Sequence, residues 1–219
     1  MSDPAFCPTW RGEATLLHSG LSTRPRRIWT PGAYGSRVHQ LFISSTDAGA
    51  NVVTLWVMQR ITEQSNMGTG AFVDGGGGSD TITRSSGSFV ADGWEVGDLI
   101  WTDKPTTLSN GFVAQLTGVA SGTLTFATAT VGAAENLPTG SAIYRAVRIG
   151  TSSVAANAAS GNVAGGSILN STRIPGMFAG ADGHVMLGAN QVLALSAGTA
   201  LATAETLGVV VGGGDWGAP

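Results

Sequence analysis

The sequence predicts an all-β fold, a sandwich or barrel of antiparallel strands. Three observations predict it. Apolar residues recur with period two in short runs, and helical spacing is almost absent. The runs are separated by clusters of Gly, Ser, Thr, Asn and Asp, which are turn formers. Glycine accounts for 33 of 219 residues, about twice its usual share of roughly 7%. At this length the chain holds one large β domain or two small ones, and either buries a core.

Residues 1–30 come first and read differently. They hold Pro4, Pro8 and Pro25, two tryptophans and most of the positive charge, without alternation. Proline fixes an extended backbone and removes a donor, so the segment reads as an extended N-terminal arm. Trp10, Arg24, Arg26, Arg27 and Trp29 are its candidate partner-interface residues, because buried interface anchors are enriched in Trp and Arg. The alternative is a terminus without a partner. With an arm of this kind, deleting residues 1–30 leaves a folded β protein that no longer assembles.

Strands follow at Arg37–Ser44 and Val52–Met58. In the second, Val53, Leu55 and Val57 share one face and Val52, Thr54, Trp56 and Met58 the other. Both faces are mostly apolar, the pattern of a central strand covered on both sides. Further strands are expected at Thr81–Arg84, Leu99–Thr102, Phe112–Val119, Thr123–Ala127, Ser141–Ile149, Gln191–Ser196 and Leu207–Gly212. The only helical candidate is one short turn near Ser88–Trp94.

Glycine-rich stretches at 66–80 and 132–140 bracket the middle of the chain, which has its own apolar set, including Phe89, Trp94, Ile100, Leu124 and Phe126. Flexible composition at both ends of such a set predicts a small domain inserted into a larger one. The expected division is an arm at 1–30, a discontinuous sandwich from 31–65 and 140–219, and an inserted module at 66–139. Val52–Arg60 and Ser141–Ile149 then pair across the insertion. The alternative is one continuous barrel with long hairpins.

Charge narrows the function. Charged residues make up 11% of the chain and the net charge is −3, against a usual charged share of roughly 25%. Residues 1–40 are basic and residues 66–140 acidic. A nucleic-acid binder needs several phosphate-neutralising side chains on one face. Too few lie outside the first 40 residues, so no nucleic-acid partner is expected. No run reaches about 18 apolar residues, so no membrane span is expected. The start, MSDPAFCPTW, has no basic segment followed by an apolar core, so no secretory signal is expected. A surface this poor in charge suits a chain largely covered by neighbours.

The sequence carries none of the familiar catalytic patterns. Cys7 is the single cysteine, which excludes an intrachain disulfide and a multi-cysteine metal site. His18, His39 and His184 lack the i, i+4 spacing of a zinc helix. No G-x-S-x-G elbow occurs. Lys104, the only lysine, lies between Asp103 and Pro105, outside any phosphate loop. The G-x-G-x-x-G at Gly212–Gly217 has no helix after it to offer amides to a pyrophosphate. Asp74/Asp80 and Asp92/Asp98 lack the tight alternation of a calcium loop. Trp94 and Trp101 flank Asp98, which keeps a carbohydrate-binding or hydrolysing module open as an alternative. The expected catalytic, cofactor and metal sets are therefore empty.

Three stretches carry a resemblance. GSRVHQLFISSTDAGANVVTLWV (Gly35–Val57) resembles the first hairpin of a group of tailed-bacteriophage virion proteins. SILNSTRIPGMFAGADGHVMLGANQVLALSAGTA with TLGVVVGGGDW (within Ser167–Trp216) resembles the closing half of that group, including the Asp182-Gly183 turn and a terminal Gly-Asp-aromatic. TITRSSGSFVADGWEVGDLIW (Thr81–Trp101) resembles a small β-barrel module of phage structural proteins. The resemblance implies a jelly-roll-like sandwich with an inserted small β-barrel, in a non-enzymatic virion protein made in the bacterial cytoplasm. It implies a capsid-decorating or cement subunit on the head, with a tail or baseplate component as the alternative. The implied partners are the major capsid protein or other virion proteins and further copies of the chain, with a trimer as the first expectation.

Overall fold

A computed structural model describes residues 6–18, 23–76, 78–105, 110–127, 130–157, 166–169 and 183–216. They are all-β, with three antiparallel sheets and, among the described residues, no α-helix. In chain order the strands are β1 (Phe6–His18), β2 (Arg26–Trp29), β3 (Ser36–Ser45), β4 (Asn51–Glu63), β5 (Gly70–Val73), β6 (Thr81–Arg84), β7 (Leu99–Thr102) and β8 (Val113–Gln115). They continue as β9 (Gly118–Ala120), β10 (Thr123–Thr125), β11 (Glu135–Asn136), β12 (Ala142–Val154), β13 (Gly166–Ser167), β14 (Val185–Leu187), β15 (Gln191–Ala197) and β16 (Thr206–Trp216). The chain divides into two compact units, Met1–Val57 with Arg148–Pro219, and Met58–Val147. Both passages between them run inside strands, β4 and β12, which are neighbours.

The first unit is sandwich-like. One layer has the order β1-β16-β3, with β13 and β14 both on the far side of β3. The other begins β2-β15-β4-β12. Alternation decides what each strand buries. Leu17 of β1, Val38, Leu41 and Ile43 of β3, and Leu207, Val209 and Val211 of β16 turn inward. In the same core lie Ile28 and Trp29 of β2, Val53 and Leu55 of β4, and Leu193 and Leu195 of β15. A bulge in β3, where Gly212 pairs with Gln40 and Gly213 with Val38, leaves His39 as the extra residue. The turn into β3 needs glycine at 35. Its φ is +97°, and a Cβ there would sit 2.4 Å from the Leu187 carbonyl oxygen.

β1 and β2 belong to the sheets of this unit, which corrects the expectation that residues 1–30 form an extended arm. β1 pairs with β16 in unbroken register from Trp10 to His18, and β2 pairs with β15. Proline at the start of β1 is compatible with its place at the sheet edge, where a missing N–H costs no ladder bond. The sequence shows little alternation here because the positions in phase with buried Leu17, Thr15 and Glu13, are polar.

The second unit has a sheet of order β11-β5-β6-β10-β9, and β8-β7 beside the first half of β12. Its core holds Phe72, Ile82, Phe89, Trp94, Ile100, Leu124, Phe126 and Ile143. Phe112 meets Phe72 and Phe126 edge-on at 5.9 and 5.8 Å. The expected turn at Ser88–Trp94 is present as hydrogen-bonded turns, with Asp92 N–H on the Ser88 carbonyl at 3.0 Å. Its strands are short, and buried polar side chains brace the loops between them. Asn110 accepts from Gly132 N–H and donates to the Ala133 carbonyl and Glu135.

Asp80 is fully buried and accepts backbone N–H bonds from Gly75, Thr130 and Val131 at 2.9, 2.6 and 2.8 Å. Those bonds, led by Gly75, hold its carboxyl below the ordinary 3.8 despite burial. A depressed folded value makes the ionised form stabilising. Its contribution is complete above the ordinary value, shrinks as pH falls below it, and is lost once pH passes below Asp80's own lowered value. Asp80→Asn keeps the shape but presents an amide N–H to backbone N–H groups. We expect it to lower the melting midpoint of the chain at pH 7 by about 5–10 °C. The gap between wild type and variant should narrow under acid. Scanning calorimetry at pH 7 and pH 3 checks both.

Candidate assembly surface

The open face of the β1-β16-β3 layer is built by the same alternation that fills the core. Its outward positions are Gly12 and Ala14 on β1, Gly208 and Val210 on β16, and Gln40, Phe42 and Ser44 on β3. None carries a charge. Ala14, Val210, Phe42 and Ser167 lie in one row across four strands. Phe42 is 41% and Val210 50% exposed. Glycine and alanine around them leave little relief, so the face presents a flat, uncharged patch with two large apolar side chains at its middle. At the end of the layer, Met186 on β14 is also exposed and stands opposite Arg37. Contiguous exposed apolar area of this kind marks interaction surface.

The residues proposed from sequence are distributed differently. Trp10 lies on β1, and its side chain falls outside the described residues, as do those of Cys7 and His18. Trp29 is fully buried in the unit's own core. Its indole N–H donates to Ser36 Oγ at 2.7 Å, and Gly213 makes room for the ring, since a Cβ there would stand 3.1 Å from it. Trp29 is thus a folding anchor rather than a partner anchor. Arg24 and Arg26 are half-buried and Arg27 is exposed. Burial, and then the charge of Arg26, push the Arg24 guanidinium below its ordinary value. The structure keeps these three arginines together at the start of β2, separate in kind from the uncharged face.

The aromatic platform required by the carbohydrate reading is not available. Trp94 is 3% and Trp101 4% exposed. The Trp94 indole donates to Thr62 Oγ1 at 3.0 Å, and Thr62 in turn donates to Asp92 at 2.7 Å. Arg84 pairs with the same Asp92 oxygen and lies over the Phe89 ring. Asp98 is held by Arg145 at 2.7 Å, and that guanidinium lies 5.5 Å from the Trp94 ring centroid. Trp101 leans on Tyr144, whose hydroxyl donates to Asp103. These polar groups are engaged in bracing the second unit.

His184, His39 and Asp215 are also engaged. His184 Nδ1 lies 3.2 Å from an Arg37 nitrogen, and its ring is 6.5 Å from that of His39. The G-x-G-x-x-G sequence begins inside β16, and Asp215 accepts from Gly32 N–H at 3.0 Å, closing a turn rather than cradling a phosphate. Asp182 lies outside the described residues. No helix among the described residues is long and apolar enough to cross a membrane. The surface that sequence reasoning missed is the open face of β3 and β16. Its signal was present in Phe42 and Val210, apolar residues out of phase with the inward set on each strand. No family model, no curated protein and no solved structure matches the chain.

Proposed function

We propose that this chain is a non-catalytic structural subunit of a tailed-bacteriophage virion, a decoration or cement protein of the head. The observation that carries the reading is the uncharged, flat open face of the β1-β16-β3 layer centred on Phe42 and Val210. It is joined by the resemblance of Gly35–Val57, Thr81–Trp101 and Ser167–Trp216 to phage virion proteins, with a jelly-roll-like sandwich and a small barrel as the finer fold. The mechanism is area burial. Each Å² of apolar surface covered is worth about 25 cal/mol, and the cost of association consumes much of that gross term. A face repeated over many copies of a shell lattice still adds up to a reinforced particle.

In this reading the open face packs on the capsid protein or on a neighbouring copy in a closed trimer. Arg24, Arg26 and Arg27 meet acidic capsid surface, an arrangement that speeds encounter more than it adds affinity. The negative charge of the second unit resists non-specific adhesion where it meets solvent. Cosedimentation of the purified chain with emptied mature heads is the test. Saturable binding in a copy number comparable with the capsid subunits is expected. A few copies per particle, or binding to isolated tails alone, would instead place the chain in the tail or baseplate.

A further inference from the structure

Among the described strands β1 is the outermost of its layer, with β16 as its neighbour there. It runs for 13 residues, and the edge of such a strand offers a row of backbone N–H and C=O groups to any strand that meets it. Proline and charge are the usual guards of an edge. β1 has Pro8 near one end, and its Arg and Glu residues are Arg11 and Glu13, one on either side of Gly12. The placing of those two charges selects the strand that fits.

Gly12 is the midpoint of β1, which runs from Phe6 to His18. Laid antiparallel on β1 of a second copy, with Gly12 opposite Gly12, the strand overlaps its counterpart over its whole length. That register sets Arg11 opposite Glu13 of the second copy, and two-fold symmetry repeats the pair. Opposite charges directly across an antiparallel pair stabilise it, and like charges destabilise it. Backbone bonding groups alternate along an edge, so the allowed slips are of two residues. Such a slip sets Arg11 opposite Arg11 in one direction and Glu13 opposite Glu13 in the other. The register of full overlap is therefore also the register of matched charge. Its central stretch, Trp10–Ala14, lies where β1 keeps unbroken register with β16. Beyond it the pair tapers, because the register shifts between Phe6 and Trp10 and Pro8 has no N–H to donate.

We propose that two copies of this chain join edge to edge through β1 as a two-fold dimer. The contact is isologous and closes on itself. It makes one sheet in which the β3-β16-β1 order of one copy continues as β1-β16-β3 of the other. Residues directly opposite in an antiparallel pair share a face. The two open faces, each with Phe42 and Val210, thus lie on the same side, and the uncharged patch is doubled rather than covered. A strand without the reversed Arg/Glu order gains no such charge pairs, so the edge discriminates in favour of its own copy. This contact needs no shell to form and stands apart from the virion reading.

Sedimentation equilibrium of the full chain, from about 1 to 300 µM, is the test. A monomer–dimer equilibrium is expected. Arg11→Glu and Glu13→Arg each set like charges opposite one another at both positions, and each should weaken dimerisation about tenfold or more. An equimolar mixture of the two variants restores opposite charges across both pairs and should dimerise as wild type does, a rescue that a merely damaged strand would not show. Phe42→Asp, on the open face, should leave the equilibrium unchanged. Should one of the two charge variants fail to fold, the chain carrying both substitutions, in which the match is restored, is compared with the other. A wild-type chain that stays monomeric throughout or forms trimers overturns the proposal. So do charge variants that dimerise like wild type, a mixture or double variant without rescue, or a dimer abolished by Phe42→Asp.

Discussion

A chain lacking residues 1–30 should fail to fold. The truncation removes β1, which covers the edge of β16, and β2, which pairs with β15. It also removes Leu17, Ile28 and Trp29, all at most 1% exposed in the first core. The open edge of β16 would then be a template for aggregation. The single substitution Trp29→Ala isolates the packing term. It empties a fully buried indole site, orphans Ser36 Oγ, and leaves a space bounded by Gly213 that cannot close because that residue has no side chain. We expect a loss of about 3–5 kcal/mol, measured by denaturant unfolding. A Trp29→Ala protein as stable as wild type but unable to assemble would return this residue to the role of partner anchor.

The opposite signature is expected on the open face. Phe42→Asp and Val210→Asp place a charge where the side chain already meets solvent, so each should cost little stability, about 1 kcal/mol or less. If that face packs against a neighbour, each buries an unpaired carboxylate in the contact, at about 3–5 kcal/mol. Binding to heads should then weaken at least about 100-fold. Cosedimentation of each variant, beside its unfolding curve, separates the two effects. Unchanged binding by both variants would remove the open face from the assembly surface.

The contrast between these pairs shows what the sequence can convey. Thr81–Arg84 and Leu99–Thr102 are strands over the same residues in sequence and structure, because each is short, alternating and bounded by turn residues. Phe112–Val119 is broken into β8 and β9 by Leu116 and Thr117, whose backbone N–H groups turn to Asp98 and Thr125. β5 was hidden by the glycine-rich composition around it. β1 was hidden because Thr15 and Glu13, in phase with its buried Leu17, are polar, and because Pro8 reads as a breaker. Trp29 was misassigned for a related reason: composition marks a tryptophan as an anchor but cannot say which body it anchors.

The candidate sites were less legible than the strands, since they depend on long-range pairing. Phe42 and Val210 become neighbours only through the β3–β16 register. The Arg24, Arg26 and Arg27 group was readable directly, because neighbours in sequence remain neighbours at a strand entrance.

Adhesion to a repeating shell through one uncharged sheet face can be seen by imaging. The most direct measurement is a cryo-electron microscopy difference map between heads with and without bound protein. Extra density is expected at every equivalent lattice position, with the β1-β16-β3 layer against a neighbouring subunit. Density confined to the tail, or a shell-bound chain whose Phe42 and Val210 face solvent, would contradict it.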